Sequence, residues 1–294
     1  MSKKIDCKSF ADNILDEIAA EVKIRMDTRR VCPTLVVLTV GEVSSASQAY
    51  IRNKQKACER VGIKYNHIAF SETEDLQYIF QIIEKLNRDD SVSGIILQLP
   101  IQHQIINNPE IISHKIAASK DVDGFHSDIG WYLYEGYKKF SNNLYPCTAL
   151  GVYRLLISEY QGVENLAGKN ITIIGRSKLV GKPLALMLND ANCTVTLCHS
   201  YTKNIQNHLQ NADIIISAIG KMNTLEDKLP EHCEMIIDVG INRGSDGKLH
   251  GDISEEAKIK CADKYTSVPG GVGLLTVAML MENTWSASKR ILGY

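Results

Sequence analysis

The sequence predicts an α/β protein with two domains, each built around a mainly parallel β-sheet. A chain of 294 residues is long enough for two domains of ordinary size, each with its own core. Apolar runs rich in β-branched residues alternate with amphipathic stretches along most of the chain, as strands and helices alternate around a buried parallel sheet. In addition, residues 169–202 read as strand, glycine loop, helix and strand, which is a repeating unit of such sheets.

The first domain is predicted to have three layers, with helices on both faces of a mainly parallel sheet, over residues 1–146. Its elements are predicted in strict alternation, beginning with a strand, at 34–40, 44–61, 63–70, 75–86 and 94–99. These segments are bounded by Gly, Pro or polar residues, which favour turns. After Pro100 the pattern loosens through two asparagines, a proline and an acidic D-V-D-G turn.

The second domain is predicted to cover residues 147–269. It begins with a helix at 147–160 and continues with strands at 171–174, 194–198, 213–218 and 235–239. A long apolar helix is predicted at 274–281, within the C-terminal segment 270–294, and because no strand is left for it to cover, we expect this segment to complete the first domain. Ligands of open parallel sheets bind beside the carboxyl ends of the strands, so we expect a binding cleft between the two domains.

The glycine loop of the second domain predicts a nucleotide site. The apolar strand before it ends at Gly175, and Gly181 and Pro183 begin the next helix. A glycine in such a loop lets the backbone approach a pyrophosphate, and the N-terminus of a helix favours negative charge. The spacing departs from G-x-G-x-x-G, so a strand–helix–strand unit that binds no nucleotide remains the alternative.

The strand after this loop indicates which dinucleotide is bound. NAD-binding units usually carry an acid at the end of that strand, where it binds the ribose 2′-hydroxyl. Here the strand ends in H-S-Y-T at 199–202, which contains no carboxylate, while the glycine loop offers Arg176 and Lys178. A guanidinium without a competing acid suits the 2′-phosphate of NADP, which an Asp would repel. The sequence therefore predicts a Rossmann-type domain for NADP rather than NAD.

The helix predicted at 44–61 carries polar side chains on its apolar side. At about 100° per residue, Ser47, Tyr50 and Lys54 fall together on that side. Hydrogen-bonding groups buried without a partner cost about 1–3 kcal/mol each, so these three groups need partners. Burial also disfavours the charged form of an amine, which suits it to proton transfer. The alternative is that the lysine reaches water and the tyrosine packs as an ordinary core residue.

A second inward polar residue strengthens the case for a site in the first domain. Gln98 lies between two leucines at the C-terminal end of an otherwise apolar strand. Parallel sheets place their binding sites at this end of the strands. We therefore expect Gln98 to face the same site as the polar stripe of the helix.

Composition argues against several classes of function. The chain has 33 basic and 34 acidic residues with no long block of either sign, which argues against nucleic-acid or membrane-surface binding. No segment has the length and hydropathy of a membrane span, and the first 30 residues contain no apolar signal-peptide segment. The eight cysteines form no C-x-x-C pair and no zinc spacing with the eight histidines. We therefore expect reduced cysteines, no metal site and a cytoplasmic protein.

Nine sequence blocks, in order along nearly the whole chain, resemble one enzyme family. They are S-Q-A-Y-I-R-N-K-Q-K-A (47–57), G-I-I-L-Q-L-P (94–100), K-D-V-D-G-F (120–125), P-C-T (146–148), I-G-R-S-K-L-V-G-K-P (174–183), V-T-L-C-H-S-Y-T (195–202), D-V-G-I-N-R (238–243), G-D-I (251–253) and V-P-G-G-V-G (268–273). The family is that of the bifunctional methylenetetrahydrofolate dehydrogenase/methenyltetrahydrofolate cyclohydrolases. The resemblance implies NADP-dependent oxidation of 5,10-methylenetetrahydrofolate and hydrolysis of the product to 10-formyltetrahydrofolate, in one-carbon metabolism. It also implies a cytosolic homodimer.

The resemblance implies roles for five residues of the first domain. Lys54 corresponds to the family's catalytic lysine, Gln98 supports it, and Tyr50 stacks on the pterin. Ser47 is implied in substrate binding. Asp123 is implied as the group that recognises the amino edge of the pterin, which suits an acceptor-only carboxylate, whereas spacing alone favours a turn residue in D-V-D-G.

Further roles are implied toward the C-terminus. The implied NADP-binding residues are Gly175, Arg176, Ser177, Ser200 and Ile241. The implied contacts to folate and nicotinamide are Gly270, Gly271 and Val272. Missing side chains in this glycine segment permit close approach of the backbone to a ligand.

The chain departs from the family pattern at two places. Ala149 stands where P-C-T is commonly followed by proline, and Leu274-Leu275 stand where the glycine segment commonly continues with P-M. The first change loosens a rigid turn, the second alters packing near the nicotinamide, and neither removes a reacting group. Three alternatives stay open: a dehydrogenase without cyclohydrolase activity, an NADP-linked shikimate-type dehydrogenase, and a catalytically silent regulator that binds NADP or folate.

Overall fold

The computed structural model describes residues 2–29, 32–137 and 143–291. The chain separates into two compact units, and each is described by itself. The small-sheet unit comprises Asp12–Tyr132, Asn142–Cys147 and Val277–Tyr294. The large-sheet unit comprises Met1–Ala11, Leu133–Ser141 and Thr148–Thr276. Both units contain helices and a parallel sheet, so the predicted two-domain α/β class is confirmed.

Helices and strands alternate along most of the described chain. The helices are α1 (Cys7–Arg29), α2 (Ser45–Val61), α3 (Leu76–Arg88), α4 (Glu110–Ser113), α5 (Ser127–Glu135), α6 (Cys147–Glu159), α7 (Gly181–Asp190), α8 (Ile205–Gln210), α9 (Glu255–Cys261) and α10 (Val272–Ile291). The strands are β1 (Lys3–Lys4), β2 (Thr34–Val40), β3 (Lys64–Phe70), β4 (Gly94–Leu97), β5 (Asn170–Ile174), β6 (Thr194–Cys198), β7 (Ile214–Ser217), β8 (Cys233–Asp238), β9 (Asn242–Arg243), β10 (Leu249–His250) and β11 (Ala262–Tyr265).

A three-stranded parallel sheet forms the centre of the small-sheet unit, in the order β3-β2-β4. The central strand β2 is apolar and buried along its whole length. Ile79 and Ile83 of α3 pack in one core cluster with Val36 and Leu38 of β2. Because the chain passes from β2 to the edge strand β3 and then returns across the sheet to β4, the sheet reverses its order between β2 and β4. Open α/β sheets bind their ligands at such a switch point.

The segment before α5 extends the small sheet at its β4 edge. The amide of Ile95 donates to the carbonyl of Lys120 at 2.7 Å, and Ile95 forms an isolated parallel bridge with Asp121. Gly94 permits this approach, because a Cβ there would lie 2.6 Å from Cγ1 of Val122. The D-V-D-G turn therefore lies toward the carboxyl end of β4.

A six-stranded parallel sheet forms the centre of the large-sheet unit, in the order β1-β11-β8-β7-β5-β6. The chain passes from β5 to the edge strand β6 and then crosses back to β7. The switch point of this sheet therefore lies between the carboxyl ends of β5 and β7. A short antiparallel hairpin of β9 and β10 follows β8.

Most of the predicted elements are confirmed, with ends shifted by one or two residues. β2 and β6 have the predicted bounds, and Ser44 and Asp75 are the N-caps of the helices they were predicted to begin. β4 ends at Leu97, so Gln98 lies one residue past the strand. The sequence patterns did not identify α1, nor β1 and its partner β11.

Composition predicted reduced cysteines and no membrane-spanning segment, and the structure describes the thiols and the helices concerned. All eight cysteines carry free thiols. Over residues 2–29, 32–137 and 143–291, no helix is both long and apolar enough to cross a membrane.

Candidate active site

Helix α2 presents one buried and one exposed face, as its sequence pattern predicts. Ser44 caps the helix by accepting the backbone amide of Ser47 at 3.2 Å, which satisfies one of the free amides of the first turn. The predicted polar stripe lies along the boundary of the buried face. Ser47 is buried, and Tyr50 and Lys54 are half-buried. The stripe therefore lies between the core and the surface rather than within the core.

Lys54 and Gln98 form the central contact of the candidate site. Lys54 Nζ donates to Gln98 Oε1 at 2.9 Å. The side-chain amide of the same glutamine donates to the carbonyl of Leu99 at 2.8 Å, which turns Oε1 toward the lysine. The pair lies past the carboxyl end of β4, beside the switch point of the small sheet. The predicted inward lysine thus has a partner from a different element.

The other two polar groups of the stripe have different surroundings. Ser47 Oγ lies 3.1 Å from Ser44 Oγ, so this hydroxyl is paired within the first turn of the helix. Burial raises the pKa of Tyr50 above the usual range of a phenol, so the ring is neutral near neutral pH. A neutral aromatic ring one turn before Lys54 offers a flat apolar face with a polar tip.

The two aspartates of the D-V-D-G turn differ in what they contact. Asp121 is buried. Its carboxylate accepts the backbone amides of Phe125 at 2.7 Å, His126 at 2.6 Å and Gly124 at 3.3 Å. Burial and the charge of Asp123 raise the pKa of Asp121 to about 6, although the amides oppose the increase. Asp121 therefore shapes the turn that presents Asp123.

Asp123 lies within electrostatic reach of Lys54. Burial raises the pKa of Asp123, and the positive charge of Lys54 opposes this effect. The same two charges act on Cys147, whose thiol pKa is raised well above its usual range by burial and by Asp123, and is lowered less by Lys54. A thiol that stays protonated is a packed core group rather than a nucleophile. Lys54, Asp123 and Cys147 therefore form one cluster.

Asn283 of α10 fixes the backbone on either side of this cluster, and the sequence analysis missed it. Its Nδ2 donates to the carbonyls of Val122 and Tyr145, both at 2.9 Å. Cys147 Sγ donates to the same Val122 carbonyl at 3.2 Å. A buried amide after an apolar helical run was the available signal, but its partners lie 161 and 138 positions away in sequence. The sequence analysis also gave no role to Asp121.

The glycine loop after β5 has the close approach that the sequence predicts. Gly175 has a φ of +121°, and a Cβ there would lie 2.3 Å from the carbonyl oxygen of Ala218. A Cβ on Gly181 would lie 1.8 Å from the carbonyl oxygen of Gly175. Only glycine fits these two positions. The loop therefore lies tightly over the switch point between β5 and β7.

The same loop exposes the groups expected to bind NADP. Arg176, Ser177 and Lys178 are exposed, and Ser177 Oγ accepts an amide three residues on, just before α7. β6 is followed by exposed Ser200, and residues 199–202 contain no carboxylate. A cradle that a Cβ would fill, a helix N-terminus and the exposed guanidinium of Arg176 fit a dinucleotide that carries a 2′-phosphate.

Ile241 and the glycine segment before α10 lie next to each other. A Cβ on Gly273 would lie 3.8 Å from Cδ1 of Ile241, which is 43% exposed. Gly270 is exposed with a φ of +90°, and a Cβ on Gly271 would lie 2.2 Å from a carbonyl oxygen. Val272 is buried.

The candidate site residues therefore fall into two groups, one in each unit. The group in the small-sheet unit consists of Ser47, Tyr50, Lys54, Gln98 and Asp123. The group in the large-sheet unit consists of Gly175, Arg176, Ser177, Ser200, Ile241, Gly270, Gly271 and Val272. The amine and the carboxylate expected to act on a substrate belong to the first group, and the expected contacts to the dinucleotide belong to the second.

The two departures from the family pattern are accommodated by packing. Ala149 is fully buried in α6. Leu275 is also fully buried, and a Cβ on Gly151 would lie 2.9 Å from its Cβ, so the glycine permits close packing of α6 against the start of α10. Leu274 is exposed. Leu275 is thus buried against Gly151, which has no side chain.

Comparison with known proteins gives a consistent result over the whole chain. Two family models match: "Tetrahydrofolate dehydrogenase/cyclohydrolase, catalytic domain" over residues 5–123, and the NAD(P)-binding domain of the same name over residues 146–292. The chain is 40% identical over 291 residues to "Bifunctional protein FolD" of Magnetococcus marinus, which covers 99% of this chain and 98% of that protein.

Solved structures of similar proteins agree. The bifunctional FolD methylenetetrahydrofolate dehydrogenase/cyclohydrolase of Campylobacter jejuni has a TM-score of 0.90 and 38% identity, and covers 99% of both chains. The methylenetetrahydrofolate dehydrogenase-cyclohydrolase of Trypanosoma brucei, complexed with NADP cofactor and inhibitor, has a TM-score of 0.88 and 29% identity, and covers 100% of this chain and 99% of that one.

The raised pKa of Asp121 predicts a pH-dependent stability that Asp121→Asn removes. The pKa lies at about 6 in the folded chain against an ordinary value of 3.8, so the folded state binds this proton more tightly than the unfolded state. The free energy of unfolding of the wild type, relative to Asp121→Asn, therefore increases by at most about 3 kcal/mol as the pH falls through this interval. Urea denaturation of both chains at several pH values measures the difference.

Asp27→Asn is the matched control for this experiment, because Asp27 is an exposed aspartate of α1. It removes the same charge and leaves the Asp121 carboxylate in place. A constant difference between the wild type and Asp121→Asn across the interval would contradict the assignment.

Proposed function

Because the chain belongs to the tetrahydrofolate dehydrogenase/cyclohydrolase family, we infer that it is a bifunctional enzyme of one-carbon metabolism. It oxidises 5,10-methylenetetrahydrofolate to 5,10-methenyltetrahydrofolate with NADP, and it hydrolyses this product to 10-formyltetrahydrofolate. The observation that best supports the hydrolysis activity is the hydrogen bond between Lys54 and Gln98 at the carboxyl end of β4. This bond holds an amine at the edge where a parallel sheet binds its ligand.

The oxidation requires mainly that the folate and the dinucleotide be held in the correct relative position. Loss of hydride from the methylene bridge leaves a cation that is delocalised over two nitrogen atoms, so no strong base is required. NADP supplies the hydride acceptor when it is bound. We assign Tyr50 to stacking on the pterin and Asp123 to its amino edge, where a carboxylate can accept two N–H donors. Ser47 is assigned to the same substrate.

The hydrolysis requires proton transfer. Water adds to the methenyl carbon, and a carbon–nitrogen bond then breaks to open the ring, so protons must leave the water and reach the leaving nitrogen. We assign both transfers to Lys54, whose Nζ is held at 2.9 Å by Gln98 Oε1. Gln98 is assigned to orienting that amine.

NADP is assigned to the carboxyl edge of the large sheet. The close approach of Gly175 and Gly181 supports binding of the pyrophosphate, and exposed Arg176 supports binding of the 2′-phosphate. Ser177, Ser200 and the 43% exposed side chain of Ile241 complete the proposed contacts. Gly270, Gly271 and the backbone of Val272 are proposed to approach folate and nicotinamide.

The assignment also locates each activity in the chain. We propose that residues 1–146, completed by 270–294, form the folate-binding catalytic domain and that residues 147–269 bind NADP. We further propose that the enzyme is a homodimer in the cytoplasm, as the family resemblance implies. Free thiols at all eight cysteines support a reducing compartment, and a solution mass of two 32.7 kDa chains is the expected result of light scattering.

Lys54→Ala is expected to separate the two activities. Ring opening falls at least about 100-fold because the proton-transfer group is lost, while oxidation continues because it needs no base. The assay supplies protein, NADP and 5,10-methylenetetrahydrofolate, and follows NADPH and the methenyl absorbance as separate signals. The methenyl compound then accumulates in step with NADPH.

Lys56→Ala is the matched control, since Lys56 is exposed on the opposite face of α2. Unchanged ring opening in Lys54→Ala would remove this lysine from its role. The wild type tests the alternatives in the same assay: a dehydrogenase alone gives NADPH and stable methenyl compound, and a shikimate-type dehydrogenase gives no NADPH from this substrate.

Arg176→Ala is expected to weaken the preference for NADP. The KM for NADP increases about 10- to 100-fold, because a charge-assisted hydrogen bond to the 2′-phosphate contributes about 1.5–3 kcal/mol. The kcat/KM with NAD, which lacks this phosphate, stays within about twofold of the wild-type value by the same argument. Lys260→Ala, an exposed cation of α9, is the control. Equal losses with both dinucleotides would contradict the assignment.

A further inference from the structure

Two carboxylates and one ammonium group are buried together in the large-sheet unit, and the proposed mechanism uses none of them. Asp238 and Asp252 are 0% exposed, and Lys258 is 2% exposed. Burying charge is unfavourable unless each group is fully paired and hydrogen-bonded. A cluster with two negative charges and one positive charge therefore needs many further donors. The identity of those donors indicates what the cluster does.

Asp252 accepts a row of consecutive backbone amides from the loop after β7. The amides of Ile219, Gly220 and Lys221 donate to its two oxygens at 2.8, 3.2 and 2.9 Å. Ser217 Oγ donates at 2.9 Å, and Asn242 Nδ2 donates at 3.0 Å. One side chain thus fixes the whole loop at residues 219–221 and joins it to the strand β9.

Asp238 fixes the neighbouring loop and holds Asp252 in place. Its carboxylate accepts the amides of Gly240, Asp252 and Ile253, each at 3.0 Å, and pairs with Lys258 Nζ at 2.6 Å. Two glycines make room for the pair of carboxylates. A Cβ on Gly240 would lie 2.1 Å from Asp252 Oδ1, and a Cβ on Gly251 would lie 2.0 Å from Asp238 Oδ2.

The loops held in this way border the proposed NADP site. Ala218, just before the fixed loop, is the residue whose carbonyl oxygen packs against Gly175 at the switch point. Ile219 is 36% exposed, and its own amide donates to Asp252. Ile241 is 43% exposed and lies between Gly240 and Asn242, which donate to Asp238 and Asp252. Two exposed aliphatic residues therefore belong to backbone segments that are held by hydrogen bonds to the buried carboxylates.

We propose that Asp252 is a positioning residue for NADP: through the amides of residues 219–221 and the side chain of Asn242, it sets Ile219 and Ile241 as an apolar support for a planar ring of the dinucleotide. The inference rests on the proposed NADP site. It explains why charge is buried here at all, because a carboxylate accepts several parallel amides with one short side chain. An asparagine at this position keeps one acceptor oxygen and turns an N–H group toward backbone donors.

Asp252→Asn in the full chain tests the proposal. The expected result is an increase of at least about 10-fold in the KM for NADP and in the Kd for NADP alone, with kcat at saturating NADP within about twofold of wild type. Hydrolysis of 5,10-methenyltetrahydrofolate, assayed without NADP, keeps its wild-type rate. Asp263→Asn is the matched control, because this aspartate of β11 undergoes the same change of charge with a side chain that is 65% exposed.

The outcomes separate this proposal from the proposed function. If Arg176→Ala raises the KM for NADP and a folded Asp252→Asn does not, the positioning role is wrong and the NADP site stands. If neither variant affects NADP, the site itself is wrong. Asn242→Ala is the second variant if Asp252→Asn does not fold, because it removes one donor and leaves the other four. It should raise the KM for NADP about threefold or more without affecting hydrolysis, and a loss of hydrolysis equal to the loss of NADP binding would overturn the proposal.

Discussion

Backbone amides at the carboxyl edges of the two parallel sheets need acceptors, and buried aspartates supply them in each unit. Asp121 accepts three consecutive amides at residues 124–126, and Asp252 accepts three at residues 219–221. An amide left without an acceptor in the interior costs about 1–3 kcal/mol, so these carboxylates determine which loop conformations are stable. The positions of Asp123 and Ile241 follow from that constraint. The residues proposed to bind ligands are thus held in place by groups to which no ligand contact is assigned.

The same constraint has an electrostatic consequence. Asp121 accepts three amides, yet burial and the neighbouring charge still raise its pKa to about 6. Desolvation therefore affects the pKa of Asp121 more than the three amides do. The hydrogen bonds of the carboxylate stabilise the conformation of the turn, although burial disfavours the ionised form itself. Rigidity of this kind serves positioning, which is what hydride transfer requires. Proton transfer needs a titratable group as well, and in the candidate site only Lys54 supplies an amine.

The sequence predicted elements with a strong local signal. The bounds of β2 and β6 were predicted correctly, and the polar stripe of α2 was found by helical periodicity alone. α1 carries a similar signal, with buried apolar residues at 11, 14, 15, 18 and 22. It was not predicted because it precedes the alternation of strands and helices that indicates the other elements. Family resemblance, rather than pattern, identified Asp123.

The supporting contacts could not be predicted, because their partners are distant in sequence. Asp252 binds a loop 31 to 33 positions earlier, and Asn283 reaches a carbonyl 161 positions away. Nothing in D-V-G-I-N-R or G-D-I shows that the two aspartates meet a lysine of α9 and a row of amides. Such contacts depend on how the strands are ordered in the sheet, and that order is set by crossovers rather than by local sequence.

Of the two departures from the family pattern, the one at position 274 changes backbone hydrogen bonding and the one at position 149 does not. α6 begins at Cys147, so position 149 lies in the first turn, where a proline would remove no hydrogen bond of the helix. Position 274 is different. The amide of Leu274 donates to the carbonyl of Gly271 at 3.0 Å, a bond that the proline common in the family cannot form. The acceptor Gly271 belongs to the segment proposed to approach folate and nicotinamide. The replacement therefore exchanges the fixed backbone angle of a proline for a backbone hydrogen bond at this segment.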